Sequence, residues 1–130
     1  YQLEIPHGYT YSAHPVACAA ALAALDELEE QNLVSRVKEM SLTYQNCVHQ
    51  LASSEIVTDI RNYGFAAGLT LAPVDNEPGK RPFQVAMRMW EKGFYVRYGG
   101  DTIQMAPPFA TTKAEMDSMI NALAESMQDV

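Results

Sequence analysis

Apolar residues recur along this chain in several distinct rhythms. From Val16 to Leu28 they return at three- and four-residue steps, at Ala17, Ala20, Ala21, Ala24, Leu25 and Leu28, while Cys18, Ala19 and Leu22 widen the stripe until little polar surface is left. This predicts an alanine-rich helix made for close approach to other backbone on both sides. Pro15 sits where the first helical turn tolerates a missing N–H, and His14 or Ser12 is a weak candidate cap. Glu29, Glu30, Gln31 and Asn32 interrupt the run. Beyond them Leu33, Val37, Met40, Tyr44, Cys47, Val48 and Leu51 keep the helical step. A kink or short break is expected between the two stretches, because an unbroken pattern from 16 to 52 would far exceed a typical globular helix.

The rhythm changes at Ile56. In IVTDIRNYGFAAGLTL, β-branched residues cluster at both ends around an Asn62-Tyr63-Gly64 turn, which predicts a hairpin with strands near 57–62 and 65–71. Ala66, Ala67 and Gly68 are small enough to let something pack tightly on that sheet. Residues 73–82, PVDNEPGKRP, have loop composition. Phe83, Ala86, Met87 and Trp90, with Val85 and Met89 beside them, predict a helix of about ten residues that stops at Gly93. A second pair of strands, Phe94–Tyr98 and Thr102–Met105, flanks Gly99-Gly100-Asp101, and Pro107-Pro108 ends the sheet. Thr112 followed by Glu115 spells a capping box for a last helix with Met116, Met119, Ile120, Leu123 and Met127 on one face. The sum is an α+β two-layer sandwich, a mainly antiparallel sheet of about four strands with helices on one side.

Composition narrows the function classes. The chain has 130 residues, 48% hydrophobic and 19% charged, with a net charge of -7. That is the profile of a globular domain, and nine scattered Lys plus Arg offer no basic stripe for nucleic acid. The longest apolar run, 15–25, is about half of what a bilayer requires, so no membrane partner is expected. Cys18 and Cys47 lack metal-ligand spacing and read as buried free thiols in a reducing, cytoplasmic setting. The chain opens without Met at YQLEIPHG and shows no signal peptide, which suggests that residues upstream of Tyr1 have been removed.

Three separated stretches then carry a resemblance. HGYTYSAHPVACAAALAAL, IRNYGFAAGLTLAP and YVRYGGDTIQMAPPFATTKAEMDSM resemble the carboxy-terminal small domain of class III aminotransferases. These have the fold type I architecture and use pyridoxal 5'-phosphate, and the likeness is greatest to the omega-amino acid:pyruvate branch. It implies a lead-in segment at 1–14 arriving from a large domain, and the small domain proper at 15–130. It also implies a complete enzyme that moves an amino group from a primary amine or omega-amino acid to pyruvate. Its partners would be the large cofactor-binding domain, a second subunit in a homodimer or higher assembly, and small amine and keto acid substrates. The family's cofactor lysine belongs to the large domain, and none of Lys38, Lys80, Lys92 or Lys113 stands in the matching context. The fragment alone is therefore expected neither to hold the cofactor nor to react.

Read from residues alone, Thr10 is a turn or cap residue, and the resemblance makes it a ligand for the cofactor phosphate of the neighbouring subunit. Arg97 by itself is an outward strand residue or a structural ion pair. By resemblance its planar fork receives the substrate carboxylate, swinging away when an uncharged group must enter. His7 and His14 lack partners at metal spacing and, with Tyr9 and Tyr11, are expected to shape a subunit junction. Arg61 is expected to pair with an acidic neighbour or to touch the large domain, with Asp59 and Asp101 as surface or turn carboxylates. Pro107, Pro108 and Phe109 form a strand-to-helix bend. Trp90 and the methionines at helical spacing are expected in the core. Two alternatives stay open: a free-standing interaction or regulatory module on a common chassis, and the small domain of a related decarboxylase or aminomutase.

Overall fold

The computed structural model describes residues 8–128 and 130. Its chain divides into two compact units, Tyr1–Leu33 and Val34–Val130. His7, and with it the first half of the lead-in segment, 1–7, lies outside the described residues.

The first unit is built on helix α1, Pro15–Glu30. Pro15 occupies the first turn and His14 stands at the N-cap in an extended conformation, but no side chain accepts a hydrogen bond from the turn's N–H groups. Tyr11 C=O accepts from His14 N–H at 3.3 Å, and Ala13 takes a positive φ of 62°, so the preceding segment is a tight turn. The helix ends at Gln31, whose N–H reaches back to Glu27 C=O, and Asn32 at φ 48° redirects the chain. The expected break is present. No residue of α1 is buried, so the bare alanine stripe is exposed, and so is Cys18. The expectation of a buried thiol at 18 is wrong, because an apolar stripe says that a face can be covered and not that it is.

The second unit opens within α2, Leu33–His49, of which it holds all but the first residue, and continues through a 3-10 turn at Gln50–Ser53. Strands β1 (Val57–Tyr63) and β2 (Ala66–Leu71) form a hairpin closed by Gly64, whose φ of 54° suits a residue without Cβ. Helix α3 spans Lys80–Glu91, followed by β3 (Arg97–Gly99), β4 (Thr102–Met105) and α4 (Lys113–Ser126). The four strands make one antiparallel sheet in the order β1-β2-β4-β3. Ala67, Leu69, Leu71, Ile103 and Met105 point to one face and are buried with Tyr44, Val48, Leu51, Val85, Met89, Met116, Ile120 and Leu123 from the helices. The opposite face of the sheet is polar and open, so the two-layer reading holds.

Several boundaries differ from expectation. Lys80, Arg81 and Pro82 belong to α3 and not to the loop before it, since Asp75 and Asn76 already turn the chain with positive φ inside a Val74–Glu77 bridge. Pro82 is tolerated there because a first-turn N–H has no helical partner to lose. Residues 94–96 are not strand. Gly93, at φ 85°, ends the helix and Phe94 N–H returns to Met89 C=O, leaving too little extended chain for a long β3.

The buried face of α3 is also rotated from the expected one. Pro82, Val85, Ala86 and Met89 face inward, while Phe83 is 46%, Met87 44% and Trp90 64% exposed. Trp90 and Met87 are thus not core residues, although the other methionines of the helices are buried or partly so. A helix apolar on two adjacent stripes leaves the choice to whatever it packs against, here β3, β4 and α4. The outward stripe is finished by Tyr98 and Tyr95, which meet Phe83 and Trp90 edge-on at 5.7 and 6.3 Å.

Arginines fasten the loops. Arg36 on α2 donates to the carbonyls of Phe109 and Thr111, holding the bend after Pro107-Pro108, and Arg81 donates to those of Ala72 and Val130. The Thr112–Glu115 capping box forms in both directions. Backbone and side-chain hydrogen bonds from Thr112 hold the Glu115 carboxyl below its ordinary pKa.

Candidate functional site

The open face of the sheet carries the polar chemistry of the second unit. Antiparallel partners place their side chains on the same face, and the registers Arg61–Gly68, Gly68–Gln104 and Gln104–Arg97 join into one row across all four strands. The neighbouring row is Asp59, Thr70, Thr102 and Gly99. Beyond the row on its other side stand Tyr63, Ala66, Ala106 and Tyr95. Large side chains therefore wall the edges and small ones floor the centre, and the result is a trough of about 820 Å³ lined by Arg61, Tyr63, Ala66, Gly68, Tyr95, Arg97 and Gln104 among others.

Arg97 is exposed on β3, where its row neighbour is the amide of Gln104. It makes no hydrogen bond or ion pair with another described residue, so the structural ion-pair reading fails and the outward strand position holds. Arg61 behaves otherwise. Its Nη1 donates to Asp59 Oδ2 at 2.7 Å and to Thr70 Oγ1 at 2.8 Å, and its Nη2 to Thr102 Oγ1 at 3.2 Å. Thr102 in turn donates to Asp101 Oδ1 at 2.8 Å. The expected acidic partner is present, and Asp59 lies in a strand with its charge spent on Arg61. Gly68 is where the close packing falls: a Cβ there would stand 3.5 Å from the Arg61 guanidinium.

Thr10 belongs to the first unit. It is exposed in the turn before α1, in a hollow shared with Tyr9, Tyr11, Ser12, His14 and the alanines of the first helical turns. Hydroxyls gathered beside helix N–H groups that no side chain caps are suited to an anion with several acceptor oxygens. None of the four lysines lines the hollow or the trough. Lys80, Lys92 and Lys113 are committed to Asp75, Glu125 and Asp117. Among the described residues no helix is long and apolar enough to cross a membrane.

Sequence reading singled out Thr10 and Arg97 but not Gln104, Tyr63 and Tyr95, which line the trough together with Arg97. The signal was there in part. Residues 59, 61 and 63 share a parity, as do 66, 68 and 70, so each strand declares which residues share a face. Only the pairing of strands far apart in sequence sets Arg97 in the row of Arg61.

The four-stranded antiparallel sheet with its helices on one face matches a domain of the fold type I pyridoxal phosphate-dependent transferases, by superposition on a solved aminotransferase. The chain belongs to the aminotransferase class-III family, whose pattern it matches over residues 2–127. It is 46% identical over 128 residues to a beta-alanine–pyruvate aminotransferase of Pseudomonas aeruginosa, covering 98% of this chain and 29% of that protein. It is likewise 46% identical over 125 residues to an omega-amino acid–pyruvate aminotransferase of Pseudomonas putida, covering 96% of this chain and 28% of that one. Among solved structures, adenosylmethionine-8-amino-7-oxononanoate aminotransferase from Methanocaldococcus jannaschii superposes with a TM-score of 0.84 at 28% identity, over 98% of this chain and 30% of that chain. The chain thus spans under a third of the length of the relatives it matches.

Proposed function

We propose that this chain supplies the small-domain half of the active site of an omega-aminotransferase that passes an amino group from a primary amine or omega-amino acid to pyruvate. The observation that carries the reading is Arg97, an exposed guanidinium without a partner among the described residues, at the edge of a trough on a chain 46% identical to two aminotransferases named for pyruvate. A carboxylate arriving there gains two parallel charge-assisted hydrogen bonds and displaces no existing ion pair. An amine donor without a carboxylate requires only that the unpinned arginine turn aside.

Thr10, with the uncapped N–H groups of α1, would hold the phosphate of pyridoxal 5'-phosphate, contributed to a neighbouring subunit. The cofactor supplies the electron sink that lets the amino group leave one carbon skeleton and join another. No lysine of this chain is placed to hold its aldehyde, so that residue is assigned to the remainder of the enzyme and the 130-residue chain is inactive alone.

The test is made in the complete enzyme. Arg97→Ala should lower kcat/KM for pyruvate by about 100-fold or more, the loss of a charge-assisted bidentate contact, while leaving cofactor affinity near its starting value. Equal loss of turnover and cofactor binding would remove Arg97 from the substrate role. Transamination of pyruvate by the isolated chain would show that a lysine within it suffices.

A further inference from the structure

The two arginines of the trough are held very differently, and the difference leaves one of them an unused binding edge. The hydroxyls of Thr70 and Thr102, 3.4 Å apart, receive the Nη1 and Nη2 end of Arg61, and Asp59 takes Nη1 as well. The position of a Cβ on Gly68 would be 3.5 Å from Cζ, Nε and Nη2 alike. A point equidistant from those three atoms lies over the face of a guanidinium and not beside its edge. The plane is therefore laid flat over bare backbone, fixed at one end, with the edge formed by Nε and Nη2 facing neither Asp59 nor the sheet. Nε makes no hydrogen bond among the described residues. That edge can give two parallel N–H groups to a carboxylate.

Its place in the trough says what else the ligand touches. Because the Arg61 plane sits over β2, it is two strand spacings, about 10 Å, from the Cα of Arg97 on β3, within reach of that unpinned side chain folded inward. Between them stand only Gly68, which offers no side chain, and Gln104, a neutral amide able to donate or accept. Asp59 offsets one of the two positive charges, so the group keeps a single net positive charge on a chain that carries -7 overall.

We infer that Arg61 is a second carboxylate-binding residue, and that the trough takes a short dicarboxylate, one end on Arg97 and the other on the free edge of Arg61. The inference rests on Arg97 being a carboxylate ligand. It extends the substrate class from monocarboxylic keto acids to dicarboxylic ones, or to dicarboxylates that occupy the trough as competitors.

The isolated chain, labelled for NMR, allows a test without cofactor or turnover. The Nε–H signals of Arg61 and Arg97, assigned by substitution, are followed at low salt during titration with glutarate and with butyrate. Glutarate should move both signals and bind about tenfold more tightly than butyrate, which should move Arg97 alone. Arg61→Met should reduce glutarate to the level of butyrate and leave butyrate unchanged. Arg61→Lys keeps the charge and the Asp59 pair but has no second parallel N–H, so it should lose the preference too, and it carries the test should Arg61→Met fail to fold. If both ligands move Arg97 and glutarate binds no better, the role of Arg61 is refuted while that of Arg97 stands. If neither ligand moves Arg97, both readings fall. Equal weakening of both ligands by Arg61→Lys would make Arg61 a structural residue only.

Discussion

Truncating Met89 to alanine and, separately, Trp90 to alanine asks which face α3 turns inward. Met89 is fully buried between the helix and the sheet, and removing such a side chain leaves a cavity as well as losing its transfer energy, about 2–5 kcal/mol for a buried Met→Ala. Trp90 is the larger residue but 64% exposed, and its described ring contact is the edge-on approach to Tyr95, worth about 0.5–1.5 kcal/mol. Unfolding in urea, with a slope of about 1–3 kcal/mol per M, should then show a midpoint lowered by about 1–2 M for Met89→Ala and by less than half of that for Trp90→Ala. Far-UV circular dichroism is the probe of choice, because Trp90 is the only tryptophan and its replacement removes the fluorescence signal. A loss for Trp90→Ala equal to that for Met89→Ala would refute the inward assignment of Pro82, Val85, Ala86 and Met89.

Other outcomes follow from the same geometry. The Glu115 carboxyl is held low by Thr112, so the capping box contributes stability above the ordinary glutamate pKa and loses it as the pH falls through the lowered value. Acid titration of thermal stability should accordingly be shallower below about pH 4.5 in Glu115→Gln than in the parent, and identical curves would exclude the box as a source of acid sensitivity. The two thiols should separate cleanly under a thiol-reactive dye at neutral pH. Cys18 is exposed and should react at once, whereas Cys47 is buried, held above the usual thiol range by burial and then by Asp117 3.4 Å away, and should react only on unfolding. Gly68→Val should push the Arg61 guanidinium off the strand and cost about 1–2 kcal/mol through the lost Thr70 and Thr102 bonds, seen as a lower Tm and a shifted Arg61 Nε–H signal.

The order and type of the elements could be read before any coordinates because they depend on neighbours in sequence. Pro15 starts α1, Asn32 breaks it from α2, Gly64 turns the hairpin, Gly93 stops α3, and Thr112 with Glu115 opens α4, each through backbone constraints or bonds made within about five residues. Thr10 and Arg97 were picked out through the resemblance of the stretches around them. Each then proved to be exposed, Thr10 in its turn and Arg97 without a partner among the described residues.

What the sequence alone could not determine was decided by contacts between distant segments. Two apolar stripes on α3 were equally available, and only packing against β3, β4 and α4 chose the one through Met89 and left Trp90 outside. Cys18 and Cys47 sit on similar local patterns, yet one is exposed and the other buried, because burial belongs to the surroundings of a helix and not to its own periodicity. The trough depends on β4 pairing with β2 and β3 in one register, since a shift by one residue would turn Arg97 or Gln104 into the core. Arg61 and Arg97 stand 36 positions apart in the chain and three strands apart in the sheet, and the row that unites them exists only once the sheet has formed.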